Sequence, residues 1–77
     1  MDLKNSVYWK IFGDVWNYFK QFYPPQSNDE YWNKAVAEIE SLMIKYKGSE
    51  GEKLAQDLIL AALTELERLN RKESRNE

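Results

Sequence analysis

A chain of 77 residues makes one domain at most and supports only a small core. It contains no cysteine and no histidine, which excludes a disulfide framework, a thiolate metal site and nucleophilic catalysis with a histidine base. A net charge of −2, with 31% charged residues of both signs, is an ordinary solvated surface rather than the basic footprint that phosphate backbones require.

Residues 1–5 are a short polar lead, and Asn5 or Ser6 can cap the helix that follows. Eight of the eleven aromatic residues fall between Val7 and Tyr23. Tyr8, Phe12, Val15, Phe19 and Phe22 recur at helical spacing and are expected to centre the buried stripe. Trp9, Trp16 and Tyr23 lie on one flank of it, and Val7, Ile11 and Tyr18 on the other. Together they make roughly 200° of the helix circumference apolar, about twice the stripe of an ordinary surface helix. Lys10, Asp14 and Lys20 interrupt the run, so it is not a membrane span. Pro24 and Pro25 end the helix, because proline excludes the helical region for the residue before it.

Ser27-Asn28-Asp29-Glu30 has the pattern of a capping box, with Ser27 as N-cap. The second helix should bury Trp32, Ala35, Val36, Ile39, Leu42, Met43 and Tyr46, and Gly48 suits the left-handed position after its end. Ser49-Glu50-Gly51-Glu52 repeats the box. The third helix presents Leu54, Ala55, Leu58, Ile59, Ala62, Leu66 and Leu69 on one face. Small residues such as Ala55 and Ala62 leave room for rings such as Phe12 and Phe19, which predicts contact between the first and third helices.

The expected fold is therefore all-α, a compact antiparallel three-helix bundle with helices over about residues 6–23, 28–47 and 50–70. Residues 1–70 form the single domain, and 71–77 a frayed polar tail. With no basic leader before an apolar run, the cytoplasm is the expected compartment.

The thirteen acids fall on predicted solvent faces, where nothing raises a carboxylate to a catalytic pKa, and no carboxylate-rich loop is present. No catalytic residue, cofactor or metal ligand is expected. Gly48 to Lys53 lacks the Gly-Lys-Ser/Thr ending and the preceding strand of a phosphate loop, and a helix stop followed by a helix start explains it. The most suggestive local feature is the line Trp9, Gly13, Trp16, continuing to Tyr23. Either these indoles are core and Gly13 lets another helix approach, or the line is a recognition surface with a notch between two rings. A three-helix core can hardly enclose every aromatic, so part of this flank or of the Ile11–Tyr18 flank is expected to remain outside, and the Trp9–Gly13–Trp16 edge is the favoured one. Ile44 and Leu60, apolar residues on the polar sides of helices two and three, point the same way.

The stretches VYWKIFGDVWNYFKQFYP, NDEYWNKAVAEIESLMIKYKG and LILAALTELERL together resemble small all-helical proteins of prophage-like and other mobile regions of Firmicute genomes. The resemblance spans Val7 to Leu69 and is most specific at Gly13–Lys20 and Glu30–Trp32. It implies a bacterial or phage intracellular setting and carries over no activity and no functional residues.

The function expected from these features is a non-enzymatic protein–protein interaction module that associates with itself, or with another protein, through Trp9, Gly13, Trp16 and Tyr23, with Ile44 and Leu60 as further candidates. The alternative is a small-molecule or peptide binder with an aromatic pocket inside the bundle. A DNA-associated regulator would have to use Arg68, Arg71, Lys72 and Arg75, which Glu65, Glu67, Glu73 and Glu77 dilute.

Overall fold

A computed structural model describes residues 6–75, with side chains described for residues 6–71. It contains three helices, α1 (Val7–Phe22), α2 (Asp29–Tyr46) and α3 (Glu52–Arg75), and no strand among the described residues. The protein is an all-α three-helix bundle, as the periodicity predicts.

The ends of α1 follow local chemistry. The Ser6 hydroxyl accepts from the Trp9 N–H at 3.4 Å. At the other end Tyr23 is extended, as a residue before proline must be, and its peptide bond to Pro24 is cis. α2 begins one residue later than the capping pattern suggests. Its N-cap is Asn28, whose side-chain oxygen accepts from the Tyr31 N–H at 2.7 Å. Ser27 is drawn away into a tertiary contact, its hydroxyl donating to Asn70 Oδ1 at 2.9 Å. Gly48 takes the left-handed conformation (φ 80°) that ends α2.

The second serine box is also redistributed. Glu52 reaches back to the Gly48 N–H at 3.1 Å, and the buried Ser49 Oγ has no hydrogen-bond partner among the described residues. α3 then runs to Arg75, past the Asn70 expected as its end. Arg, Lys and Glu are good helix formers, so nothing in residues 71–75 stops the helix. Residues 76–77 of the expected tail lie outside the described residues.

Four hydrogen bonds give the directions of the helices. Tyr18 on α1 bonds Ala35 on α2, and Asp14 bonds Lys45 and Tyr46, so α1 and α2 are antiparallel. The Ser27–Asn70 bond places the start of α2 beside the late part of α3, so these two are antiparallel as well. α3 is the helix that both others lie on, and the α1–α2 seam is the slighter one. Side-chain size explains this asymmetry. α3 offers Ala55 and Ala62, and Gly51 stands just before its start, all three buried, which lets neighbouring segments come close. The seam between α1 and α2 is instead held by three phenols: Tyr18 OH donates to the Ala35 carbonyl at 3.1 Å, Tyr31 OH to the Phe22 carbonyl, and Tyr46 OH to Asp14 Oδ2 at 2.5 Å.

The core consists of Ile11, Tyr18 and Phe22 from α1, Ala35, Ile39 and Tyr46 from α2, and Ala55, Ile59, Ala62 and Leu66 from α3. α1 is thus turned by about 60° from the expected stripe, at about 100° per residue. The Ile11–Tyr18 flank faces inward, Val15 and Phe19 are half-buried, and Phe12 is outside rather than seated against Ala55 and Ala62. Val36, expected in the core, is 44% exposed, because the inward face of α2 centres on Ala35 and Ile39.

Candidate interaction surface

α1 divides into three arcs. Ile11, Tyr18 and Phe22 face the core. Lys10, Asn17 and Gln21 form a polar arc facing solvent. The remaining arc carries Trp9, Phe12 and Trp16, with Gly13 and Lys20 among them, and Tyr23 continues it just past the helix end; the four rings are each 54–59% exposed. Their spacing of three, four and seven residues keeps them on one side of the helix. The apolar surface of α1 therefore extends beyond what its neighbours cover.

This arc has internal order. The Lys20 ammonium lies over the Trp16 ring, 5.7 Å from its centroid. Tyr23 stacks on half-buried Phe19, ring centroids 5.7 Å apart, which ties the exposed end of the stripe to the core. At Gly13 an added Cβ would meet nothing within 4 Å. Gly13 thus does not serve a close approach within the bundle, and the gap between the two indoles opens to solvent. The close approach occurs instead at Gly51, where a Cβ would lie 2.5 Å from Ile11 Cδ1 and 3.3 Å from Val7 Cγ1.

Ile44 (73% exposed) and Leu60 (50% exposed) are outside as expected, but on α2 and α3 rather than on the α1 stripe. The structure places Trp9, Gly13, Trp16 and Tyr23 along one side of the α1 segment, and exposes Ile44 on α2 and Leu60 on α3. Phe12 belongs to the stripe although its spacing placed it in the core. The signal that could have found it is its position, midway between Trp9 and Trp16 on the same helix face.

The charged groups do structural work. Asp14 Oδ2 accepts from Lys45 Nζ at 2.7 Å and from Tyr46 OH at 2.5 Å. Burial raises the Asp14 pKa, but the hydrogen bonds from Lys45 and Tyr46 and the Lys45 charge outweigh it and hold the carboxyl below its usual range. Burial pushes the Tyr18 and Tyr46 phenols well above theirs, helped at Tyr46 by the Asp14 carboxylate. Arg68 is engaged by Glu65 through Nε at 2.9 Å and Nη2 at 2.5 Å, which takes it out of the candidate cationic cluster. The side chains of Lys72 and Arg75 lie outside the described residues. Among the described residues no charged side chain is buried, no three acids gather as a metal site would need, and no helix is long and apolar enough to cross a membrane. A shallow depression lined by Gln26, Asn28, Glu30, Tyr31 and Lys34 sits at the start of α2. It is polar and open, and does not resemble an aromatic pocket within the bundle.

Comparison with protein-family models, with curated proteins and with solved structures finds no match to this chain.

Proposed function

We propose that this chain is a non-enzymatic interaction module that associates with itself through the exposed aromatic arc of α1, in the bacterial or phage cytoplasmic setting that the sequence resemblance implies. One observation carries the reading: four large aromatic side chains stand more than half exposed on a single helix face. Isolated exposed apolar residues are common on soluble proteins, but a contiguous aromatic patch of several hundred Å² marks an interaction site. Tryptophan and tyrosine are also the residues that dominate interface energetics. The non-enzymatic part rests on the charged groups described above, which stay at the surface or in structural links.

Sedimentation velocity across a micromolar concentration range tests the proposal. A monomer–dimer shift that Trp16→Ser abolishes is the expected result, with the helical circular dichroism of the variant unchanged. A strict monomer at every concentration would overturn it.

A further inference from the structure

The exposed arc of α1 has similar content on either side of Trp16. Trp9 lies seven residues before it and Tyr23 seven after, while the Gly13 gap lies three before and the Lys20 side chain four after. Resting on the interaction reading above, we infer that two copies of the chain pair through α1 in antiparallel fashion about Trp16, with the Lys20 side chain of each filling the Gly13 gap of the other.

Three features argue for this arrangement. The first is Gly13 itself. Glycine inside a helix weakens it, and the space beyond Gly13 is open, so the bundle gains nothing from its missing Cβ. A second chain would. Gly13 is flanked on the same face by Trp9 and Trp16, four residues before and three after. A lysine stem lying across it places its ammonium between two indoles, the geometry in which aromatic rings hold a cation. Lys20 already engages the Trp16 ring of its own chain.

The second feature is charge. Lys20 is the charged side chain within the arc. A parallel pair would put the two Lys20 ammoniums level with each other and set each Gly13 gap against the partner's Phe12 edge rather than its Lys20. An antiparallel pair separates the cations and supplies each with rings. In the two-fold arrangement the same edges of the two helices meet, so the Gly13–Lys20 edge of one chain lies on that of the other, and Phe12 meets the partner's Phe19 along the opposite edge.

The third is area. Four rings a little over half exposed offer roughly 500 Å² per chain, since a fully buried aromatic side chain contributes about 150–250 Å². The two chains together then reach about 1,000 Å², the lower limit for a specific interface. That predicts a dimer in exchange with monomer at micromolar concentration.

Because the chain has no cysteine, disulfide trapping is clean. Gly13→Cys and Lys20→Cys chains are mixed in equal amounts, oxidised and resolved by mass. Antiparallel pairing gives mainly the mixed disulfide, in which the other Gly13–Lys20 contact is left intact. Predominance of the two homodisulfides overturns the pairing. Sedimentation of the wild-type chain separates the two levels of the argument: a dimer without the mixed disulfide sinks the antiparallel arrangement alone, whereas a monomer at every concentration removes self-association and leaves the arc to another protein. Gly13→Ala, which meets no atom within the bundle, should weaken dimerisation at least threefold without lowering the melting temperature of the dilute monomer. An unchanged dissociation constant would overturn the seating of Lys20.

Discussion

Gly51 lies directly against Ile11: a single methyl group added at Gly51 would approach Ile11 Cδ1 to 2.5 Å. Ile11 is fully buried, so its terminal methyl would have to shift within a close-packed core. Gly51→Ala should therefore destabilise the bundle by about 1–3 kcal/mol, the usual cost of overpacking. At this size each kcal/mol is worth roughly 4–8 °C in melting temperature. Gly13→Ala should have the opposite sign in the dilute monomer, a gain of about 0.5–1 kcal/mol from helix propensity and reduced unfolded-state entropy. Urea unfolding of the two variants side by side measures both, and equal effects would contradict the assignment of the two glycines.

How α1 meets its neighbours was only partly legible in the sequence. Helix positions, the Pro24 stop and the left-handed Gly48 were readable, because each is set by residues a few positions apart. The rotation of α1 about its own axis was not. Its apolar arc is so wide that several inward faces satisfy the periodicity, and the choice falls to Gly51 and the α2 tyrosines, more than twenty residues away for Tyr46 and for Gly51. For the same reason Phe12 was placed inside and Gly13 was open to two explanations. That some apolar edge of α1 would be left over could be read, because an excess of apolar surface is itself a property of composition, but which edge follows from the rotation.

Asp14 should make stability depend on acid. Its pKa is depressed in the folded chain, so its contribution is present above the unfolded carboxylate value of about 4 and is lost as pH falls through the lower folded value. Asp14 and Lys45 both retain contact with solvent, which limits the effect to at most about 1 kcal/mol. Wild type and Asp14→Asn should differ in denaturant midpoint at pH 6 and converge near pH 2. A gap that persists at pH 2 would show that the link is not ionic.

The tyrosines act at the other end of the scale. Burial raises the Tyr18 and Tyr46 pKa values, so the stability they contribute is complete below about pH 10, the ordinary phenol value, and is lost as pH rises above it. An ultraviolet titration should show these two phenols ionising only together with loss of helical circular dichroism. Tyr46→Phe should remove part of the alkaline dependence.

The displaced cap of α2 gives a direct comparison. Asn28 holds the Tyr31 N–H, and Ser27 holds Asn70 at the surface. Asn28→Ala should cost about 1 kcal/mol, the typical value of an N-cap, and Ser27→Ala less. If Ser27→Ala proves the costlier change in thermal melts, the capping role belongs to the serine after all.

The position of α3 has a consequence for how the chain is made. It is the helix on which the other two rest, and it is also the last of the three to leave the ribosome. At about 5–20 residues per second, α1 waits several seconds with even its inner rings uncovered while the remaining chain is synthesised. Within this bundle the stickiest helix thus emerges before the helix that covers it. Holdase chaperones should capture chains truncated within α3, and release should coincide with emergence of Ala62 and Leu66, the last residues of the shared core cluster to be made.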